Sequence, residues 1–150
     1  MTKPIKVYEL HWSEWSDPEE GEHTRIRFQK LSSGESVHIG VEICELAPGC
    51  NTAPAHYHMK EEEHTYVLSG AMDVRLGDQW VRFGSGEYLR FQAGDPRAHM
   101  FRNPFDEPCR YLMFGERHRD EVVVYPDEEK VHVRLLGGLQ PYRRETPKAE

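Results

Sequence analysis

Residues 56 to 64 read HYHMKEEEH, three histidines and three glutamates in nine positions. Imidazole nitrogen and carboxylate oxygen are the donors that first-row divalent metals take, converging on the ion at about 2.0–2.2 Å. His56 and His58 are two residues apart, so on an extended strand both side chains leave the same face and form half of such a site. A strand opening at Glu63 and running to Gly70 lets a short turn return the Glu63 carboxylate to the same pocket. A further histidine, His99, stands in AHMFRN after another strand and a Gly94-Asp95-Pro96 turn. A donor set without cysteine suits Fe, Mn, Ni, Co or Zn. The rest of the cluster reads differently. Glu61 and Glu62 fall in the turn and are expected as solvated charge, while His64, adjacent to Glu63, should face the opposite side of its sheet.

The elements that must position these groups are extended. Segments rich in β-branched and aromatic residues, each bounded by Gly, Pro, Asp or Asn, cover 23–31, 38–49, 63–70, 71–76, 79–86, 87–94, 98–103, 109–116, 122–127 and 130–136. Short strands with turn signals at regular intervals predict an all-β sandwich or barrel. Within 71–76, Met72, Val74 and Leu76 share one face and Asp73 and Arg75 the other. Gly77-Asp78 then makes a two-residue hairpin to the next strand. The segment SEWSDPEEGEH, interrupted by Pro18 and Gly21, reads as an irregular lead-in, with Trp12 and Trp15 covering one end of the barrel or a subunit contact. The polar tail QPYRRETPKAE is expected to fray.

A chain of 150 residues, 37% apolar and 30% charged, fits one domain. The expected organisation is an N-terminal extension with flanking strands (1–37), a barrel core (38–116), and C-terminal strands with a tail (117–150). The net charge of −7 opposes a phosphate backbone, and no Lys/Arg run marks a nucleic-acid footprint. No stretch approaches the roughly 18 apolar residues of a membrane helix, and MTKPIKVYEL lacks a signal peptide's apolar block. A cytoplasmic protein with neither nucleic acid nor membrane as partner is the expectation. Cys44, Cys50 and Cys109 show no Cys-x-x-Cys pairing and are expected as free thiols.

Two longer patterns give the constellation a resemblance. The first is Gly49, six residues, His56-Tyr57-His58, four residues, Glu63, six residues, Gly70; the second is Gly86, five residues, Gln92-Ala93-Gly94, four residues, His99, three residues, Asn103. Together they resemble the two motifs of the cupins, small β-barrel proteins. The departures are one extra residue before His56, Gln92 in place of proline, and two extra residues before His99, all in turns that tolerate insertion. The resemblance spans about 38–116. It implies a double-stranded β-helix, or jelly roll, in which His56, His58, Glu63 and His99 bind one divalent transition metal with one or two positions left open.

By strand parity Phe101 and Thr65 are candidates to wall a substrate pocket, and Arg97 is a candidate to hold a substrate carboxylate. Asn103 is expected to shape its turn. No catalytic residue beyond the ligands is identified. Cupins host many reactions, so function must come from the pocket. The expected activity is that of a metal-dependent enzyme on a small organic molecule, a dioxygenase-type oxidoreductase in the leading form. A redox-neutral lyase, isomerase or epimerase acting on a sugar or carboxylate, and a non-catalytic binding module, are the alternatives. A homodimer is expected from exposed sheet edges and the two N-terminal tryptophans.

Overall fold

The computed structural model of the chain describes residues 3–32, 34 and 37–142. Strands run in chain order as β1 (Ser13–Ser16), β2 (Arg25–Lys30), β3 (Ile39–Leu46), β4 (Tyr57–His58), β5 (Glu63–Ser69), β6 (Ala71–Leu76) and β7 (Gln79–Gly84). They continue as β8 (Tyr88–Phe91), β9 (His99–Arg102), β10 (Cys109–Glu116), β11 (Val122–Tyr125), β12 (Lys130–Val133) and β13 (Leu139–Pro141). Among the described residues there is no α-helix, only short 3-10 turns at Val7–Glu9 and Pro18–Glu20. Among the same residues no helix is long and apolar enough to cross a membrane.

The largest sheet has the order β1-β2-β3-β10-β5-β8, a second β13-β12-β11-β4, and a third β7-β6-β9. Backbone bridges Thr24 to Asn51, Asn51 to Arg102 and His56 to His99 link them. This is the all-β jelly roll that the sequence predicts. Alternation explains why it closes over one core. On β6, Met72 and Val74 are fully buried and Leu76 packs against the core, whereas Asp73 pairs with Arg102 and Arg75 with Asp127 on the outer face. Leu46, Val67, Phe83, Phe101 and Tyr111 fill the same interior. Burying each aliphatic side chain stabilises the fold by about 1.5–3 kcal/mol. Cys44, Cys50 and Cys109 are buried free thiols.

The ends depart from expectation. Ser13–Ser16 is a regular strand paired antiparallel to β2, not irregular chain, because Trp15 opposite Ile26 extends the apolar face of the sheet. The C-terminal segment begins with a strand as well, β13 on β12; the remainder of the tail, 143–150, lies outside the described residues.

Gly70 ends β5 at φ 79°, and a Cβ there would collide with the Pro108 carbonyl. Gly70→Ala should therefore cost at least the roughly 1–3 kcal/mol of a non-glycine residue in that region. Urea unfolding reads the loss directly; an unchanged midpoint would show that the turn is not constrained.

Candidate metal centre

The four histidine and glutamate side chains named by sequence come from three places in the chain, and backbone pairing carries them together. His56 and His99 exchange both backbone hydrogen bonds, at 3.1 and 2.9 Å, so one imidazole pair is set by a strand bridge. His58 lies on β4, held by β11 through Val123. Glu63 opens β5 opposite Gly115 of β10. A Cβ at Gly115 would approach the Glu62 carbonyl to 2.6 Å and Glu63 Cγ to 3.3 Å, so glycine is what leaves room for the Glu63 side chain.

Glu63 Oε2 lies 3.1 Å from His99 Nε2 and 3.3 Å from His58 Nε2. The ring centres of His56 and His99 are 4.7 Å apart, those of His56 and His58 5.3 Å. His56, His58 and Glu63 offer ligand atoms close enough together for one ion. His56 Nδ1 is 2.8 Å from the Pro54 carbonyl. A carbonyl only accepts, so Nδ1 carries the proton and Nε2 keeps its lone pair for the cavity, as a metal-binding histidine requires. His99 is oriented by stacking on Phe91, with ring centres 3.9 Å apart.

The titration of the group follows from its burial. Burial, then repulsion from His99, pushes His56 down to about 3. Burial alone would raise Glu63, but the His58 and His99 imidazoles set against its carboxylate outweigh it and hold the carboxyl well below its usual range. Burial lowers His58, and the neighbouring Glu63, Glu121 and Glu61 carboxylates overcome that and raise it. Both ring nitrogens of His58 are nonetheless buried without a hydrogen-bond partner, its 3.3 Å approach to Glu63 being poorly aligned. An orphaned imidazole facing a half-buried carboxylate is costly, and a divalent cation between them removes the cost. The donor set therefore fits a metal.

Behind these groups lies a second carboxylate layer that sequence reasoning missed. Glu121, fully buried, accepts backbone N–H bonds from Met59 (3.1 Å), Lys60 (3.0 Å), Glu61 (2.6 Å) and Val122 (2.7 Å). One side chain thus closes the turn that joins His58 to Glu63. Glu61 is not solvated turn charge: it is 3% exposed, accepts the His118 backbone N–H at 2.6 Å and is ion-paired with Arg134. The turn folds inward because Arg134 and the His118 amide are there to satisfy it. Glu61 and Glu121 each place an oxygen 3.6 Å from His58 Nδ1, beyond hydrogen-bond reach but close enough to polarise the ring. Glu62 does stay at the surface, beside His64 and Arg90. His64 faces away from the cluster and stacks on Phe114.

A cavity of about 340 Å³ opens above the cluster, walled by Trp15, Ile26, Phe28, Phe101 and Met113, with Glu42 and Arg117 among its charged residues. Phe101 is thus where parity placed it. Thr65 is not on this wall: it is fully buried and its hydroxyl donates to Met113 Sδ at 3.2 Å. Arg97 is also elsewhere, exposed and tied to Asp95 at 2.6 Å beside a smaller cavity of about 210 Å³. Asn103 shapes its turn, donating to the Leu46 and Glu107 carbonyls and accepting from Phe105.

A family profile described as Cupin domain matches residues 42–115, the span that holds all four candidate ligands. The chain belongs to the cupin superfamily. A sugar phosphate isomerase of the cupin superfamily from Silicibacter pomeroyi superposes with a TM-score of 0.81 at 22% identity, covering 93% of this cupin and 92% of that chain. A candidate sugar phosphate isomerase from Acidithiobacillus ferrooxidans gives 0.67 at 27% identity, over 76% and 74%. A candidate oxalate decarboxylase from Thermotoga maritima gives 0.67 at 18%, over 77% and 100%. No curated protein matches the sequence.

For this cupin the expected metal stoichiometry is one ion per chain, lost in His56→Ala. Because the ion must displace a proton from His58, whose pKa is raised, affinity should fall as pH drops through that pKa, by up to about tenfold per unit. Elemental analysis and metal titration across pH measure both; retained metal in His56→Ala would remove His56 from the site. Glu121→Ala strands buried amides at about 1–3 kcal/mol each, so unfolding should shift by several kcal/mol. Its metal affinity should fall as well.

Proposed function

We propose that this cupin is a metal-dependent enzyme that rearranges a small hydroxyl- or carbonyl-bearing molecule without consuming oxygen, as an isomerase, epimerase or lyase does. The observation that carries the reading is the placement of a lightly engaged carboxylate, Glu42, in the wall of the cavity that holds the three-histidine, one-glutamate cluster. Glu42 shares inward parity with Gly40 and Cys44 on β3, and among the described residues its one ion-pair contact is Arg117 at 3.9 Å. Similarity to structures named as isomerases supports the redox-neutral form.

A bound divalent ion would supply Lewis acidity to a carbonyl or hydroxyl oxygen of the substrate. The protein would do the rest. His56, His58, Glu63 and His99 would hold the ion; Phe28, Phe101 and Met113 exclude water from the carbon skeleton; Glu42 would take a proton from the adjacent carbon through its carboxylate oxygen and return it on the neighbouring one. The same nitrogen and oxygen donors also suit iron, so an oxygen-consuming dioxygenase is the alternative.

Aldoses, ketoses and hydroxy acids, free and phosphorylated, assayed with metal-loaded protein under argon and in air, separate the two. Turnover should be equal in both, and Glu42→Gln should keep its metal while losing about 10²–10⁴-fold in rate. Stoichiometric oxygen uptake, or full activity in Glu42→Gln, would sink the redox-neutral assignment.

A further inference from the structure

The chain carries a net charge of −7, yet one groove of about 720 Å³ runs the other way. Its described lining includes Lys30, Arg117, Arg119 and Arg134 against a single carboxylate, Glu42. It shares Gly40, Glu42, Arg117 and Arg134 with the cavity above the metal cluster, so the two adjoin along these residues. Of these, Arg134 is held in place by Glu61 and by the His118 carbonyl.

Two paired glycines lie beside this shared lining. Gly40 of β3 lies opposite Gly115 of β10, and Gly115 lies opposite Glu63. No side chain on this row stands between the candidate ligand and the groove. The Arg117 guanidinium occupies the space that a Cβ at Gly40 would fill, and it leans only weakly on Glu42. A guanidinium seated over a bare strand and half exposed keeps donors free for a planar, bidentate contact.

We propose that the groove binds the phosphate of a phosphomonoester substrate whose hydroxyl or carbonyl end reaches the metal cluster, with Arg117 as the principal contact and Lys30 and Arg119 as supporting charge. Among the described residues Lys30, Arg117 and Arg119 stand against Glu42 alone, an excess of positive charge that matches a dianion better than a carboxylate. The assignment rests on the inner cavity being the reacting site, but its charge argument does not depend on the metal.

Calorimetric titration of the full chain, metal-free and metal-loaded, with glycerol 3-phosphate, glycerate and glycerol tests this. Glycerol 3-phosphate should bind in both states and weaken with added salt, with glycerate at least about tenfold weaker and glycerol undetectable. Arg117→Ala should weaken phosphate binding about tenfold or more, and the Lys30→Ala, Arg119→Ala double variant comparably. Gly40→Ala keeps every charge but displaces the guanidinium, and should weaken binding as well, while Arg97→Ala, outside the groove, should not. Equal binding of glycerate, no binding of glycerol 3-phosphate, or an unaffected Arg117→Ala would overturn the proposal. Binding that persists in metal-free protein while turnover fails would separate the groove from the enzymatic reading.

Discussion

Glu63 is a carboxylate with little water around it, and it stays ionised only because positive or donating groups stand against it. Burial raises its pKa; His58 and His99 more than reverse that. The cost of burying such a group is several kcal/mol unless it is paired. Much of the surrounding structure serves that pairing. The His56–His99 bridge brings one strand end across, β11 holds β4 so that His58 faces inward, and Gly115 clears the space that Glu63 occupies. The same compensation makes the site receptive to a cation, since an ion facing the unpartnered His58 Nε2 satisfies what the protein alone leaves open.

The turn from Met59 to Glu62 carries a second consequence of this arrangement. Two ligands separated by so short a turn need its backbone fixed, and backbone amides turned toward the interior need acceptors. Glu121 supplies one carboxylate to three N–H groups of the turn, and Glu61 is drawn inward to Arg134. Arg134 in turn lines the cationic groove. Ligand geometry and the chemistry of the mouth are thus joined through one ion pair, and substitutions at Glu61 should be felt at both.

The barrel and the four ligand candidates were legible because both depend on local patterns: two-residue alternation within strands, and fixed spacing between ligand and turn glycine. Glu121 was not legible. Three of its four partners are backbone amides some sixty positions away, and an acid before VVVY carries no local mark. Glu61 was misread for a related reason, since a charge in a turn looks solvated until Arg134 is seen to face it. Thr65 followed the parity of Glu63 inward but met Met113 before reaching the cavity, and Arg97 found a nearer partner in Asp95. At the edges, β1, β4 and β13 are too short for alternation to register, although their partners fix them.

Among the described residues two clusters of side chains compete as a metal site: His56, His58 and Glu63 with His99 alongside, and His58 with Glu61 and Glu121. The carboxylates of the second are already engaged by Arg134 and by backbone amides, so the first should win. A crystal soaked in a divalent transition metal and measured at its absorption edge decides between them. One anomalous peak per chain is expected, bounded by three imidazole nitrogens and Glu63 at about 2.0–2.2 Å. A peak between His58 Nδ1, Glu61 and Glu121, or no peak at saturating metal, would contradict it.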